Sequence, residues 1–560
     1  MQKTCQKCSV KFEITKDDLE FYKKISPKIW DKTFEIPTPT LCPDCRQQRR
    51  LAFRNEWKLY KRKCDKTGKS IISAYSPDKD YIVYDKNYYI SDDFEALDFW
   101  MDFDFSKNFF ENFDKLLHKV PLQNLSWWYF TENSEYINYA WKMKDCYMDF
   151  ACWECEKVFY SSKTNLSKNT IDSSYCNKIE NSYQTYNCIN GYNLKYSINT
   201  NNSRDSSFLI NCDNCENCFL SNNLIWKKYH IFNKPYNKEE YFEKVKELEK
   251  KYFPLWWKAF DKIKDKVFYK NLIMLNCENS LWDNIENAKN CYSIFHFVWE
   301  SQNSKYLENW WLICNDVYDW IWVWDNLTLS YELVDVWVNA SKNYFLITCY
   351  TCQNTFYSIN CHNSQNLFWC IWLRNKEYCI FNKQYTKQEY EKLVSKILEE
   401  MKVDWEWWEF FPASISPFWY NETIADEYFP LFRKEILKQN FKYSDYKSPE
   451  SKVEKIIPAN KLPDDILKIP DDILNWAIKC ENSWKLFKIL KTELEFYRKH
   501  NLPIPKKHFE IRHLERIKFR TPRKFFDRKC DKCNKEMKSS YEQSRKETIY
   551  CEECYNKKVY

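Results

Sequence analysis

Glycine is almost missing. The 560 residues hold two, where ordinary usage of roughly 7% would place about 39. A folded chain of this length does not make its turns with two glycines. Long apolar runs are also absent. Nothing approaches the roughly 18 consecutive apolar residues of a membrane-spanning helix, so no membrane partner is expected. The opening MQKTCQKCSV has no basic region followed by an apolar one, and it does not read as a secretory signal.

Tryptophan is present in excess, 26 times. It forms doublets (Trp127–Trp128, Trp256–Trp257, Trp310–Trp311, Trp407–Trp408) and enters turn contexts such as Trp324-Asp325-Asn326. Trp484 follows the second position of a cysteine knuckle, where Ser9, Gly68 and Asn534 stand in related segments. That position calls for φ > 0, which Gly and Asn tolerate and Trp does not. The expectation is that many tryptophans stand for glycine. An opal codon, read as glycine in some uncultured bacterial lineages, would here be written as Trp. Converting all 26 would give 28 glycines, 5% of the chain. No Trp is therefore read as a base-stacking residue.

Cysteine, also 26 in number, is too dilute for a disulfide scaffold. Its most organised members form CxxC pairs, which points to a reducing, cytoplasmic setting. Cys5, Cys8, Cys42 and Cys45 make one four-thiolate set. Cys530, Cys533, Cys551 and Cys554 make another. Two knuckles of this kind bind zinc, and four protein ligands leave no open position, so about two structural zinc ions are expected and no catalytic residue is assigned.

The two ends are copies. Residues 64–88 align with 530–554 at an offset of 466, with Thr67, Asp85 and Tyr88 replacing three of the four cysteines. Cys480, Ser483, His508 and Ile511 align with the front set Cys5, Cys8, Cys42 and Cys45. Each module thus derives from a two-site ancestor. The first keeps its front site, and the second keeps its rear site.

The middle is also duplicated. Tyr229–Tyr241 matches Tyr378–Tyr390 at an offset of 149, and Asn237 and Thr386 cap helices expected near 238–252 and 387–402. Aromatics recur every 12 to 14 residues before the second helix, among Asn, Ser and Cys. This suggests a stacked β-solenoid with two such units per coil, aromatics and small residues inside, and Asn ladders at the turns. Cys146, Cys176, Cys188, Cys291, Cys361 and Cys370 then read as core residues. So do Cys212, Cys215, Cys218, Cys349 and Cys352, with metal binding the alternative for these five.

The fold expected is multidomain and mainly β: two α+β zinc-ribbon modules flanking a duplicated β-solenoid (parallel β-helix) with a helix after each copy. Its segments are 1–95 and 476–560 for the modules, 122–265 and 270–404 for the solenoid copies, and 405–475 for a connector and a proline-rich linker.

Charge is uneven. Residues 1–64 carry 16 Lys and Arg against 8 Asp and Glu, and residues 476–560 carry 23 against 12. The ends are therefore +8 and +11, and with +7 overall the middle is −12. Basic ends suit a polyanion, or the chain's own middle. Arg46, Arg50 and Arg54 recur as Arg512, Arg516 and Arg520, followed in the second copy by Lys524 and Arg528. Forked guanidinium donors suit phosphates, so these eight are candidate contacts to RNA or DNA. Internal pairing with carboxylates is the alternative.

The segments PTLCPDCRQQRRL (39–51), YKRKCDKTGK (60–69) and NETIADEYFPL (421–431), with the 530–554 ribbon, resemble a family of large zinc-ribbon proteins from uncultured candidate-phylum bacteria. That resemblance implies no activity. In that family, residues 368–374, here Phe-Trp-Cys-Ile-Trp-Leu-Arg, resemble a version with glycine at both Trp positions, which agrees with the recoding expectation. The expected role is a non-catalytic binding protein contacting nucleic acid through its ends. The alternatives are a protein-interaction scaffold using the solenoid face and a polysaccharide-acting β-helix enzyme. The last requires clustered acidic and basic residues on one coil face.

Overall fold

A computed structural model describes residues 1–126, 130–283, 285–295, 299–308, 313–324, 326–449 and 453–560. Trp127–Trp128, Trp310–Trp311 and Asp325 lie outside the described residues. The chain forms two compact units, and neither is contiguous. One joins Met1–Asn124 to Leu272–Lys447; the other joins Leu125–Asn271 to Ser448–Tyr560. Each unit is one end module packed on one solenoid copy. Among the described residues no helix is long and apolar enough to cross a membrane.

Both solenoids are built from parallel strands. In the 125–271 copy each strand pairs in register with the strand 12 residues on, as in Trp141↔Trp153 and Glu156↔Lys168. The 272–404 copy steps by 12 or 13 over most of its length, as in Ser341↔Gln353 and Cys314↔Leu327. One coil therefore takes one repeat. The expected pairing of two repeats per coil is corrected.

The reason lies in a finer period. Between Phe130 and Phe232 every third residue has φ near +50°. Each such residue turns the chain, and four turns close a 12-residue coil. The residue after each turn points inward. Cys146, Asp149, Cys152, Cys155, Val158, Ser161 and Thr164 follow one another on this inner register, and all are buried. Inner thiols and hydroxyls bond the backbone in a fixed pattern. Cys349 Sγ donates to the Ile347 carbonyl at 3.5 Å, and Cys361 N donates back to Cys349 Sγ at 3.3 Å. All eleven core cysteines expected from the sequence are buried.

So narrow a coil has little room for rings. The periodic aromatics stand instead on the outer wall, beneath the docked end module, which corrects their expected inward placement. In the first unit Phe21 stacks on Tyr318, with centroids 3.7 Å apart, and Tyr22 meets Tyr331 edge-on at 5.8 Å. In the second, Phe496 and Tyr497 lie 6.4 and 5.6 Å from Tyr183. Phe21–Tyr22 and Phe496–Tyr497 are the same helix pair in the two module copies.

Left-handed backbone costs an ordinary residue roughly 1–2 kcal/mol, and Asn is among the residues that tolerate it. Asn accordingly fills many corners and ladders between coils. Asn187 Nδ2 donates to Asn199 Oδ1 at 2.9 Å, and Asn199 Nδ2 to Asn211 Oδ1 at 3.0 Å. Each solenoid ends on a capped helix. Lys238–Tyr252 starts at Asn237, which accepts from Glu240 N, and Lys387–Val403 starts at a Thr386–Glu389 capping box. Tyr241 packs edge-on against Tyr229 and Tyr390 against Tyr378, both at 5.7 Å. The proline-rich run after Lys447 packs as well: Leu462, Ile466, Ile469 and Ile473 are buried, and its short turns are 3-10 helices.

Outside the solenoids, nine described residues have φ > 0: Ser9, Trp30, Gly68, Trp405, Trp408, Asn440, Trp484, Asn501 and Asn534. Four are tryptophan. Ser9, Gly68, Trp484 and Asn534 occupy the same knuckle position at φ 61, 70, 61 and 59°. Trp405 and Trp484 are 89% and 70% exposed, so their rings add little burial to offset the strain. Trp405→Gly and Trp484→Gly should each raise the unfolding free energy by about 1–2 kcal/mol in denaturant titrations. If glycine is native there, the codons at Trp30, Trp405, Trp408 and Trp484 read TGA; TGG at all four sinks the recoding idea.

Candidate metal centres and arginine clamps

Local backbone assembles each metal centre. Cys5 and Cys8 lie in the turn between strands Gln2–Thr4 and Lys11–Glu13. Ser9 N closes that turn on the Cys5 carbonyl at 2.9 Å. Cys42 is the N-cap of helix Pro43–Leu51, with proline at the start, and Cys45 lies in its first turn. In the second unit Cys530 and Cys533 form the turn between strands Phe526–Lys529 and Glu536–Ser539, while Cys551 caps helix Glu552–Val559.

The four sulfurs of each set lie within 4.8 Å of one another. Cys8 and Cys42 are 3.6 Å apart, Cys533 and Cys551 3.7 Å. A tetrahedral ion with bonds of about 2.3 Å requires an edge of about 3.8 Å, so the donor sets fit a zinc-like metal. Proton affinities are pulled apart. The Cys45 thiol holds Cys42 down at about 5, while the same contact pushes Cys45 far up. Burial raises Cys530, but the N–H groups of Cys551, Cys533 and Lys532 outweigh it and leave it at about 6. One thiolate forms readily in each set, and a cation is needed to draw the remaining protons off.

These two groups are the candidate metal clusters among the described residues. The two worn sites keep the turn without the ligand set. Thr67 N and Asp85 N donate to Cys64 Sγ at 3.4 and 3.1 Å, and Asp85 stands at the N-cap of helix Lys86–Tyr89, the position Cys551 takes before its own helix. Ser483 N lies 3.5 Å from Cys480 Sγ, and His508 caps helix Phe509–Ile517. Cys212, Cys215, Cys218, Cys349 and Cys352 belong to the solenoid interior.

The arginines require a correction. Arg46, Arg50, Arg54, Arg512, Arg516 and Arg528 are buried, none above 4% exposed. No phosphate backbone reaches them. In the first unit Arg46 and Arg50 lie 2.7 and 3.2 Å from Asp319. Arg50 and Arg49 also pair with Glu332, at 3.3 and 3.0 Å, and Arg54 pairs with Asp335 at 3.0 Å and Glu56 at 2.7 Å. In the second unit Arg512 and Arg516 share Asp172; Arg516 approaches it at 2.9 Å and donates to the Tyr160 carbonyl at 3.0 Å. Arg528 pairs with Asp531 at 2.9 Å within its ribbon. Helix Phe509–Ile517 ends before Arg520, which is half-buried, and Lys524 is exposed.

Burial lowers the proton affinity of Arg46, but Asp319 outweighs it and keeps the guanidinium charged. Asp319, Glu332, Asp335 and Asp172 all sit at left-handed corners of the coil. Sequence reasoning missed these four. Their signal was present: an acidic middle segment, with acids recurring in a three-residue register otherwise rich in Asn.

The outer solenoid faces are a second candidate surface. In the 125–271 copy one column reads Glu132, Lys144, Glu156, Lys168, Glu180, Tyr192, Arg204, Glu216, Lys228, each paired with the next coil. Lys144–Glu132, Lys168–Glu156 and Lys228–Glu216 are ion pairs at 3.4, 3.2 and 2.8 Å. The column does cluster acids and bases, but in these three pairs a lysine faces the carboxylate and neutralises it. A glycosidase centre instead sets two carboxyl groups about 5–9.5 Å apart across the scissile bond.

No family model, curated protein or solved structure matches the chain. The site rests on its own geometry, which makes two predictions. Asp172→Ala and Asp319→Ala each leave two buried arginines short of a counter-ion and should cost their unit about 3–5 kcal/mol in denaturant unfolding. Metal analysis should find two ions per chain, and Cys530→Ser should remove one while leaving the Cys5 site loaded.

Proposed function

We propose that the chain is a non-catalytic, zinc-stapled scaffold that presents its solenoid faces to a protein partner. The observation that carries this reading is the division of labour within each unit. The end module covers the aromatic wall of its solenoid and satisfies that wall's buried carboxylates. A largely exposed column remains, with charges alternating at 12-residue steps except at Tyr192. Such a column is regular, rigid and already hydrogen-bonded, so a partner can dock on it at little ordering cost. Zinc is proposed as the metal because four thiolates at this spacing suit it. Retained thiolate sites and buried free thiols suit a reducing cytoplasm.

The nucleic-acid reading loses its arginine stripes, because they are spent inside the units. The test is capture by the full, metal-loaded chain after nuclease treatment. The wild type should retain one stoichiometric protein. Lys144→Glu with Lys168→Glu, which turns the four consecutive ladder steps from Glu132 to Glu180 into like-charge contacts, should lower its recovery at least about ten-fold with metal content unchanged. Recovery unaffected by these substitutions, or no partner at all, rejects the solenoid face as the docking surface.

A further inference from the structure

The two rear ribbon turns, residues 62–69 and 528–535, have the same sequence pattern: Arg-Lys-Cys-Asp-Lys-x-x-Lys. Around this pattern the copies have diverged. The first has lost three of four metal ligands to Thr67, Asp85 and Tyr88, while the second keeps Cys533, Cys551 and Cys554. Most of the retained residues have a structural reason to stay. Arg62 pairs with Asp65 at 3.0 Å and Arg528 with Asp531 at 2.9 Å. Asp65 accepts from Val83 N at 2.6 Å, and Asp531 from Ile549 N at 2.7 Å. Cys64 and Cys530 organise the turn itself.

Apart from Lys66, whose ammonium lies 5.4 Å from the centre of the Tyr88 ring, the lysines have no such reason. Lys63, Lys66 and Lys69 match Lys529, Lys532 and Lys535, and all six are exposed. Among the described residues none of the six forms an ion pair. Glu553 feels Lys535, but its partner is Lys557, at 2.6 Å. The acid inside each turn is already neutralised by its arginine, so each turn displays three uncompensated cations. Their stems leave a fixed frame. Gly68 N bonds the Cys64 carbonyl at 2.8 Å and Asn534 N the Cys530 carbonyl at 2.9 Å, while the Lys69 and Lys535 carbonyls accept from Cys64 N and Cys530 N at 2.8 and 2.9 Å.

We infer that these two turns are duplicate docking sites for the phosphodiester backbone of nucleic acid. Metal retention is not what the copies share, so the shared lysines serve something other than the metal. Ammonium groups are point charges suited to phosphate oxygens. No aromatic residue lies within either turn, and the nearby Tyr88 ring faces the Lys66 ammonium at 5.4 Å, so the binding is to the backbone without base readout. This proposal is independent of the solenoid reading.

The test uses the full, metal-loaded chain and a labelled single-stranded oligonucleotide of about 30 residues, titrated between about 50 and about 200 mM salt. Three phosphate contacts on a single strand contribute about 2 to the log–log salt slope. Lys63→Gln with Lys66→Gln and Lys69→Gln should reduce the slope by about 2, and the matching triple at Lys529, Lys532 and Lys535 should do the same. Lys→Arg triples, which keep the charge and control for the fold, should retain wild-type affinity. An unchanged slope in both Gln triples overturns the proposal. So does loss of binding in the Arg triples. Preferential binding of a polyglutamate peptide over the oligonucleotide, abolished by the same Gln changes, assigns the turns to an acidic protein and also overturns it.

Discussion

Each unit depends on a carboxylate buried at a left-handed corner of its solenoid and held by two arginines one helical turn apart. Asp319 is held by Arg46 and Arg50, and Asp172 by Arg512 and Arg516. A buried charge costs several kcal/mol to desolvate, and only a well-placed, hydrogen-bonded partner offsets that. The clamp therefore adds little net stability, but breaking it is expensive. It fixes which face of which solenoid a module covers, because a shifted register would strand one carboxylate and two guanidinium groups.

The rest of each unit follows from that docking. With the helix pinned over the corner, its preceding helix lays Phe21–Tyr22, or Phe496–Tyr497, on the aromatic wall. The wall is too bulky for the coil interior and too apolar for water, and the module covers it. The metal centres are local by comparison. Each joins a knuckle to the first turn of a helix within one module. This explains how each copy could lose one of its two sites: Cys64 and Cys480 still gather backbone N–H groups and still hold their turns without a metal.

Much was legible in the chain. Both four-cysteine sets, the duplicated modules, the capped helices after each solenoid copy and the Asn ladders follow from spacing and residue type. These are local or periodic features, and local geometry enforces them. The coil length was misjudged because the aromatic spacing reports one outer wall, whereas the turn period of three is carried by residues as different as Asn, Tyr, Lys and Leu. The arginines were misjudged because their sequence environment is basic. The shared counter-ions of Arg46 and Arg50, and of Arg512 and Arg516, lie about 270 to 340 residues away, whereas Arg528 pairs within its own ribbon.

Spacing and residue type alone specify the metal-binding modules and the repeat. Spacing within a few residues dictates knuckle geometry, and a 12-residue repeat dictates a ladder. Long-range contacts set which solenoid each module covers: the first module packs with the second solenoid and the last module with the first. The same contacts make the arginine stripes internal clamps and leave the lysines of the ribbon turns exposed. Those outcomes depend on which distant charges meet, and no local pattern encodes the partner of a buried ion pair.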